Sequence, residues 1–161
     1  MNFAVLNLPN WVSLSRLVAV PVIWVGIDHN YPELATVVFL IACATDWLDG
    51  YLARKLDMVT ELGKVLDPLI DKLLVLAPLL ALIELNIIPA WGVYLIMARE
   101  LVVTAWRGNS QTGANFWGKA KTVIQMITIV ALLLNWQYAV YLFWVTVVIT
   151  IWSGITYFLP A

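Results

Sequence analysis

The sequence predicts an all-α membrane protein with six transmembrane helices, and three observations carry that prediction. Hydrophobic residues make up 63% of the chain, and mean hydropathy is +0.89. Charged residues make up only 12%, about half of the ~25% usual in a soluble domain. Six apolar stretches, each near the ~17–25 residues that cross a bilayer as helix, occupy almost the whole chain with short polar connections between them.

The first stretch, Leu8–Ile27, is too long for the apolar core of a signal peptide and no small-residue cleavage site follows it, so it reads as a helix. The second is Glu33–Ala53. The third, Asp67–Leu85, has two possible beginnings. Either the helix starts near Thr60 as N-cap and carries Pro68 in an early turn, or Asp67 caps it with Pro68 as first helical residue. Pro89–Trp106, Trp117–Leu134 and Tyr138–Phe158 complete the set. Residues 1–161 are expected to form a single six-helix domain without repeats or flexible linkers. A single cysteine, Cys43, excludes an intramolecular disulfide.

Charge placement sets the expected topology. The connections Asp28–Pro32, Asn86–Ile88 and Asn135–Gln137 contain no Lys or Arg, so all nine basic residues fall toward the other side. The positive-inside rule makes that side cytoplasmic, with both termini. The expected location is the inner or plasma membrane of a bacterium-like cell. Trp24, Trp91 and Trp136 near the outer ends, and Trp11, Trp106 and Trp117 near the inner ends, fit aromatic belts at the two interfaces.

The chemistry concentrates between Asp46 and Asp71. In a continuous second helix Asp46, Asp49, Gly50 and Ala53 are spaced i, i+3, i+4 and i+7 and share one face. Gly63, Asp67 and Asp71 follow at intervals of four and share a face of the returning helix. Four carboxylates at a membrane boundary are costly to keep, and together they require protons or a cation. A donor set of oxygens alone suits a hard divalent ion, Mg²⁺ or Mn²⁺, and two such faces can enclose two ions. Gly50, Ala53 and Gly63 lack bulk where a ligand must approach backbone, and Arg54 offers a fork for phosphate oxygens.

The string Asp46-x2-Asp49-Gly50-x2-Ala53-Arg54-x8-Gly63-x3-Asp67-x3-Asp71 resembles the signature of the CDP-alcohol phosphatidyltransferases at all eight fixed positions. The resemblance implies a homodimer of six-helix protomers, two divalent metals and a CDP-activated lipid donor. It implies Asp46, Asp49 and Asp67 as metal ligands, and Asp71 as a group that approaches the metal and serves as general base. Gly50, Ala53, Arg54 and Gly63 would line the CDP-lipid site.

The acceptor is read from the remaining cations. Arg99 lies about ten residues, ~15 Å, into the fourth stretch, where an unneeded Arg costs a few kcal/mol. Arg107 follows at the cytoplasmic end, and Lys119 and Lys121 open the fifth helix. These four suggest an acceptor with its own phosphate. Helical geometry separates the two lysines by roughly 200°, so one of them is expected to reach the site. Glu100 adjoins Arg99 in sequence but is expected on a different face. Ala98-Arg99-Glu100-Leu101, Gly118-Lys119-Ala120-Lys121-Thr122 and Pro9-Asn10 with Ser13 and Arg16 resemble the branch of the family whose acceptor is glycerol 3-phosphate. Asn10, Ser13 and Arg16 form either a polar edge facing the site or a cap and anchor for the first helix.

The expected reaction is transfer of phosphatidyl from CDP-diacylglycerol to glycerol 3-phosphate with release of CMP, with no nucleic-acid partner. Phosphatidylglycerol, serine or an inositol phosphate as acceptor would keep the family and change the product. A metal-ion transporter would place its acids near the midplane with a route to both sides, which this distribution does not offer. His29 and Glu84 sit toward the outer side, away from the acids, and Asp57 reads as a turn or cap residue.

Overall fold

Runs of Leu, Ile, Val and Ala give the backbone no side-chain partner, so its N–H and C=O groups pair with one another as helix. The computed structural model describes residues 8–55, 61–109 and 116–156, with side chains over 14–45, 67–106 and 117–156. Six helices follow in order: α1 (Leu8–Asp28), α2 (Pro32–Lys55), α3 (Glu61–Glu84), α4 (Ala90–Asn109), α5 (Phe116–Leu133) and α6 (Ala139–Ile155). The expected all-α fold with six helices is met. Among the described residues no helix is long and apolar enough to cross a membrane. Side chains are described only from Leu14 in α1 and only as far as Thr45 in α2. The most apolar helix, α6, has no charged residue and is 17 residues long.

The structure separates the two beginnings considered for the third helix. α3 starts at Glu61 and carries Pro68 and Pro78 inside it, so Asp67 is a helical residue and not the cap. Hydropathy marks only the apolar part of such a helix. Its polar first turns were visible only in the four-residue spacing of Gly63, Asp67 and Asp71. Thr60 and Asp57 lie outside the described residues.

Three helices end in the same turn. Asn30, Asn86 and Asn135 have φ of 59°, 57° and 52°, the left-handed region that Asn tolerates better than most side chains. At the first, the Asn30 N–H bonds Ile27 C=O at 3.1 Å and the Tyr31 N–H bonds Gly26 C=O at 2.7 Å. Asn86 and Ile87 repeat the pattern on Ile83 and Leu82, and Asn135 and Trp136 repeat it on Leu132 and Ala131. This is the Schellman arrangement, in which the helix's last carbonyls are satisfied by the turn itself. Asn135→Ala is expected to lower stability by about 1 kcal/mol through the steric penalty of a left-handed residue. Asn135→Gly should hold stability at or above the parent value. Thermal unfolding of the purified variants measures the difference.

The chain folds as two compact units, Met1–Pro78 and Leu79–Ala161. In the first, α1 packs along α2. Ile23, Ala35 and Phe39 are fully buried, with Ile27 and Ala42 beside them in the core. A Cβ on Gly26 would stand 3.3 Å from the Cβ and the backbone N of Ala35, so small residues on both helices permit the close approach there.

In the second unit α6 packs against both α4 and α5. Phe143 of α6 is fully buried, and its ring fills the space above Gly92 of α4, where a Cβ would come within 2.7 Å. Ile129 and Leu132 of α5 and Val147 of α6 are buried with it. A second set of interior residues is polar. Thr146, Thr150 and Ser153 of α6 are buried at i, i+4 and i+7, and Lys121, Gln125 and Thr128 of α5 at the same intervals. The hydroxyls of Thr128 and Thr146 are 2.6 Å apart. At that register, equal helical rise sets Lys121 level with Ser153 and Gln125 close to Thr150. Gln125 Nε2 and Thr150 Oγ1 are buried with no hydrogen-bond partner among the described residues.

Candidate active site

In the first unit the helix boundaries place the aspartate motif as its spacing requires. Asp46, Asp49, Gly50, Ala53 and Arg54 all belong to α2, and Gly63, Asp67 and Asp71 all belong to α3. The link 56–60 is five residues long, which holds the end of α2 within ~20 Å of the start of α3. The side chains of Asp46, Asp49, Gly50, Ala53, Arg54 and Gly63 lie outside the described ones, as do those of Asn10, Ser13 and Arg107. Among the described residues no three His, Cys, Asp or Glu side chains gather into a metal-binding group.

Asp67 and Asp71 are partly buried on α3. Arg16 of α1 donates from Nη1 to Asp71 Oδ1 at 3.1 Å, and its side chain is 2% exposed against 45% for Asp71. Of Asn10, Ser13 and Arg16, only the Arg16 side chain is described, and its contact is with Asp71. Arg16 fixes one carboxylate oxygen of Asp71, and hence the direction of the other. Lys72, the next residue, turns back along α3 and donates to the Pro68 carbonyl at 2.8 Å.

The second unit assembles a charged cluster from three helices. Arg99 of α4 donates from Nη1 to Glu100 Oε1 at 3.3 Å and from Nη2 to Ser153 Oγ of α6 at 2.9 Å. Lys121 of α5 donates to the same Glu100 Oε1. Side-chain exposures of 10% for Arg99, 16% for Glu100 and 7% for Lys121 make the cluster largely interior. Gly154 makes room for it, since a Cβ there would stand 2.9 Å from Arg99 Cγ. Two cations from different helices thus meet at one carboxylate.

Successive helical residues point about 100° apart, so Glu100 was expected on a different face from Arg99, yet the two side chains are bonded to each other. The long, flexible Arg99 stem instead bends around the helix and brings its guanidinium to the neighbouring carboxylate. The two lysines divide as the 200° separation requires, with Lys121 buried and Lys119 exposed. The structure therefore brings Arg99 and Lys121 together and leaves Lys119 outside the cluster.

Ser153, Gly154 and Gln125 were not anticipated as site residues. Their signal was the polar spacing Thr146, Thr150, Ser153 in an otherwise apolar helix, together with Gln125 one turn beyond Lys121.

Comparison with known proteins adds to this geometry. The family model for CDP-alcohol phosphatidyltransferase matches residues 6–152. A Bacillus subtilis protein named CDP-diacylglycerol–glycerol-3-phosphate 3-phosphatidyltransferase is 40% identical, over 94% of this chain and 93% of its own length. Proteins of the same name from Haemophilus influenzae and Pseudomonas fluorescens are 34% and 36% identical. The first alignment covers 94% of this chain and 91% of the relative, the second 81% and 73%.

Proposed function

The chain belongs to the CDP-alcohol phosphatidyltransferase family, and on that premise we propose that it transfers phosphatidyl from CDP-diacylglycerol to glycerol 3-phosphate, releasing CMP. The observation that carries the acceptor is the meeting of Arg99 and Lys121 at Glu100, two buried cations side by side, which suits an alcohol bearing its own phosphate. A neutral acceptor offers those cations no phosphate. The names of the relatives point to the same pair of substrates.

In this reading Asp46, Asp49 and Asp67, with Asp71 approaching, hold two divalent ions, Mg²⁺ or Mn²⁺. The all-carboxylate donor set on two helices fits such ions. When bound, they supply charge neutralisation at the donor diphosphate. Gly50, Ala53 and Gly63 give the CDP moiety access to backbone, and Arg54 takes a phosphate oxygen. Asp71, aimed by Arg16, accepts the proton of the acceptor hydroxyl as its oxygen bonds to phosphorus and the bond to CMP breaks. Arg99 and Lys121 bind the acceptor phosphate, with Arg107 and Lys119 as outer attraction for the anion.

The protein works as a homodimer within a bilayer, with the aspartates on the cytoplasmic side. The exposed surface of the helices supports the bilayer. Val18 is 66% and Val148 65% exposed, and Val37, Ile41, Val123, Ile127 and Val145 are each at least half exposed. Aliphatic side chains displayed in that number, at helical spacing, need an apolar surrounding. The one-sided distribution of Lys and Arg supports the orientation.

The test is CMP release by purified protein supplied with CDP-diacylglycerol and Mg²⁺, with glycerol 3-phosphate compared against serine, phosphatidylglycerol and inositol phosphate. Release is expected with glycerol 3-phosphate and not with the others, and EDTA should abolish it. Metal-dependent release with a different acceptor would keep the aspartate site and remove the acceptor assignment.

A further inference from the structure

We propose that Glu100 is a positioning residue for the acceptor. It holds the Arg99 guanidinium and the Lys121 ammonium against one carboxylate oxygen, so that two cations from different helices stand together where one phosphate group can engage both. The proposal rests on the acceptor reading above and assigns a role that reading leaves open.

The geometry is unusual for an ordinary ion pair. Arg99 Nη1 and Lys121 Nζ both reach Glu100 Oε1, and all three side chains are mostly buried. Two like charges brought together inside a helix bundle repel, and each is costly to bury without a counter-charge. Across α4, α5 and α6, Glu100 is the sole acidic residue, so these helices have no other carboxylate to supply it. A structural pair needs one cation for one carboxylate. Here one carboxylate oxygen accepts from two cations that come from different helices.

Other contacts fix the same arrangement from the far side. Ser153 Oγ accepts from Arg99 Nη2 at 2.9 Å and itself donates to the Thr150 carbonyl at 2.9 Å. Gly154 lets the Arg99 stem lie close to α6. The guanidinium is thus gripped by α4 and α6, and the ammonium of α5 is tied to it through Glu100. Replacing the carboxylate by an amide of equal size keeps the shape and removes the charge that holds the cations together.

Initial rates of CMP release, with each substrate varied in turn, test this on Glu100→Gln, Glu100→Asp and Arg99→Gln. Glu100→Gln is expected to raise KM for glycerol 3-phosphate by roughly tenfold, with KM for CDP-diacylglycerol within about twofold of the parent and kcat at saturating acceptor little changed. Glu100→Asp, which keeps the charge, should recover much of the loss. It also carries the comparison if the amide variant does not fold.

If Arg99→Gln raises the acceptor KM and Glu100→Gln leaves it unchanged, positioning by Glu100 is wrong and the acceptor site stands. A lowered acceptor KM in Glu100→Gln would mean that the carboxylate competes with phosphate for the cations, which also overturns the proposal. Parallel increases in both KM values with a loss of thermal stability would reduce Glu100 to a packing role. An unchanged acceptor KM in Arg99→Gln would remove the acceptor reading itself, and this proposal with it.

Discussion

Asp71→Asn is expected to reduce CMP release by about 10³-fold while CDP-diacylglycerol still binds, since general-base contributions run from ~10² to ~10⁴. An amide cannot take the proton of the acceptor hydroxyl, yet its shape and one carbonyl oxygen are kept. The substitution also removes a counter-charge of Arg16, whose side chain is 2% exposed. Because Asp71 is nearly half exposed, screening limits that penalty to about 1–2 kcal/mol. The double variant Arg16→Gln with Asp71→Asn separates the two effects. It should regain thermal stability and remain inactive. Loss of donor binding in Asp71→Asn, measured by titration with CDP-diacylglycerol, would instead make Asp71 chiefly a ligand-holding group.

Arg99→Ala should raise KM for glycerol 3-phosphate by roughly 100-fold, the effect of losing a charge-assisted contact worth ~2–3 kcal/mol. Its KM for CDP-diacylglycerol should move by less than about threefold. The guanidinium is held by Glu100 and Ser153 at 3.3 and 2.9 Å, so its position is set before any acceptor arrives. Gly154→Ala offers an independent check because it leaves every charge in place. Its methyl group would meet Arg99 Cγ at 2.9 Å and force the stem aside. A selective increase in acceptor KM is expected there too, smaller than that of Arg99→Ala. If neither variant changes acceptor dependence, the cluster does not bind the acceptor phosphate.

The parts of this fold legible in the sequence were those that local spacing encodes. Six apolar runs became six helices, and the acids of the motif fell within α2 and α3 as their intervals of three and four require. That Lys119 and Lys121 point apart also follows from angle alone, although only packing shows which of the two faces in. What spacing did not encode was pairing between helices distant in sequence. Ser153 lies 54 residues from Arg99, and Lys121 lies 21 residues from Glu100. No local pattern states that α6 packs on α4, so nothing in the sequence tied Ser153 or Gly154 to Arg99. Cβ directions alone set Glu100 apart from Arg99, a rule that holds for short side chains and fails for one as long as arginine. The start of α3 was ambiguous because the four-residue spacing of Gly63, Asp67 and Asp71 favours a helix from near Thr60, whereas Asp67-Pro68 also reads as a cap followed by a first helical residue.

The turns at Asn30, Asn86 and Asn135 bear on how the chain exchanges protons with water. A connection of a few polar residues ordinarily presents free amides, which trade deuterium quickly and give proteases a grip. Here the amides of Asn30, Tyr31, Asn86, Ile87, Asn135 and Trp136 are all bonded back to the preceding helix. In a deuterium pulse the amides of these three joints would keep time with the helices they terminate.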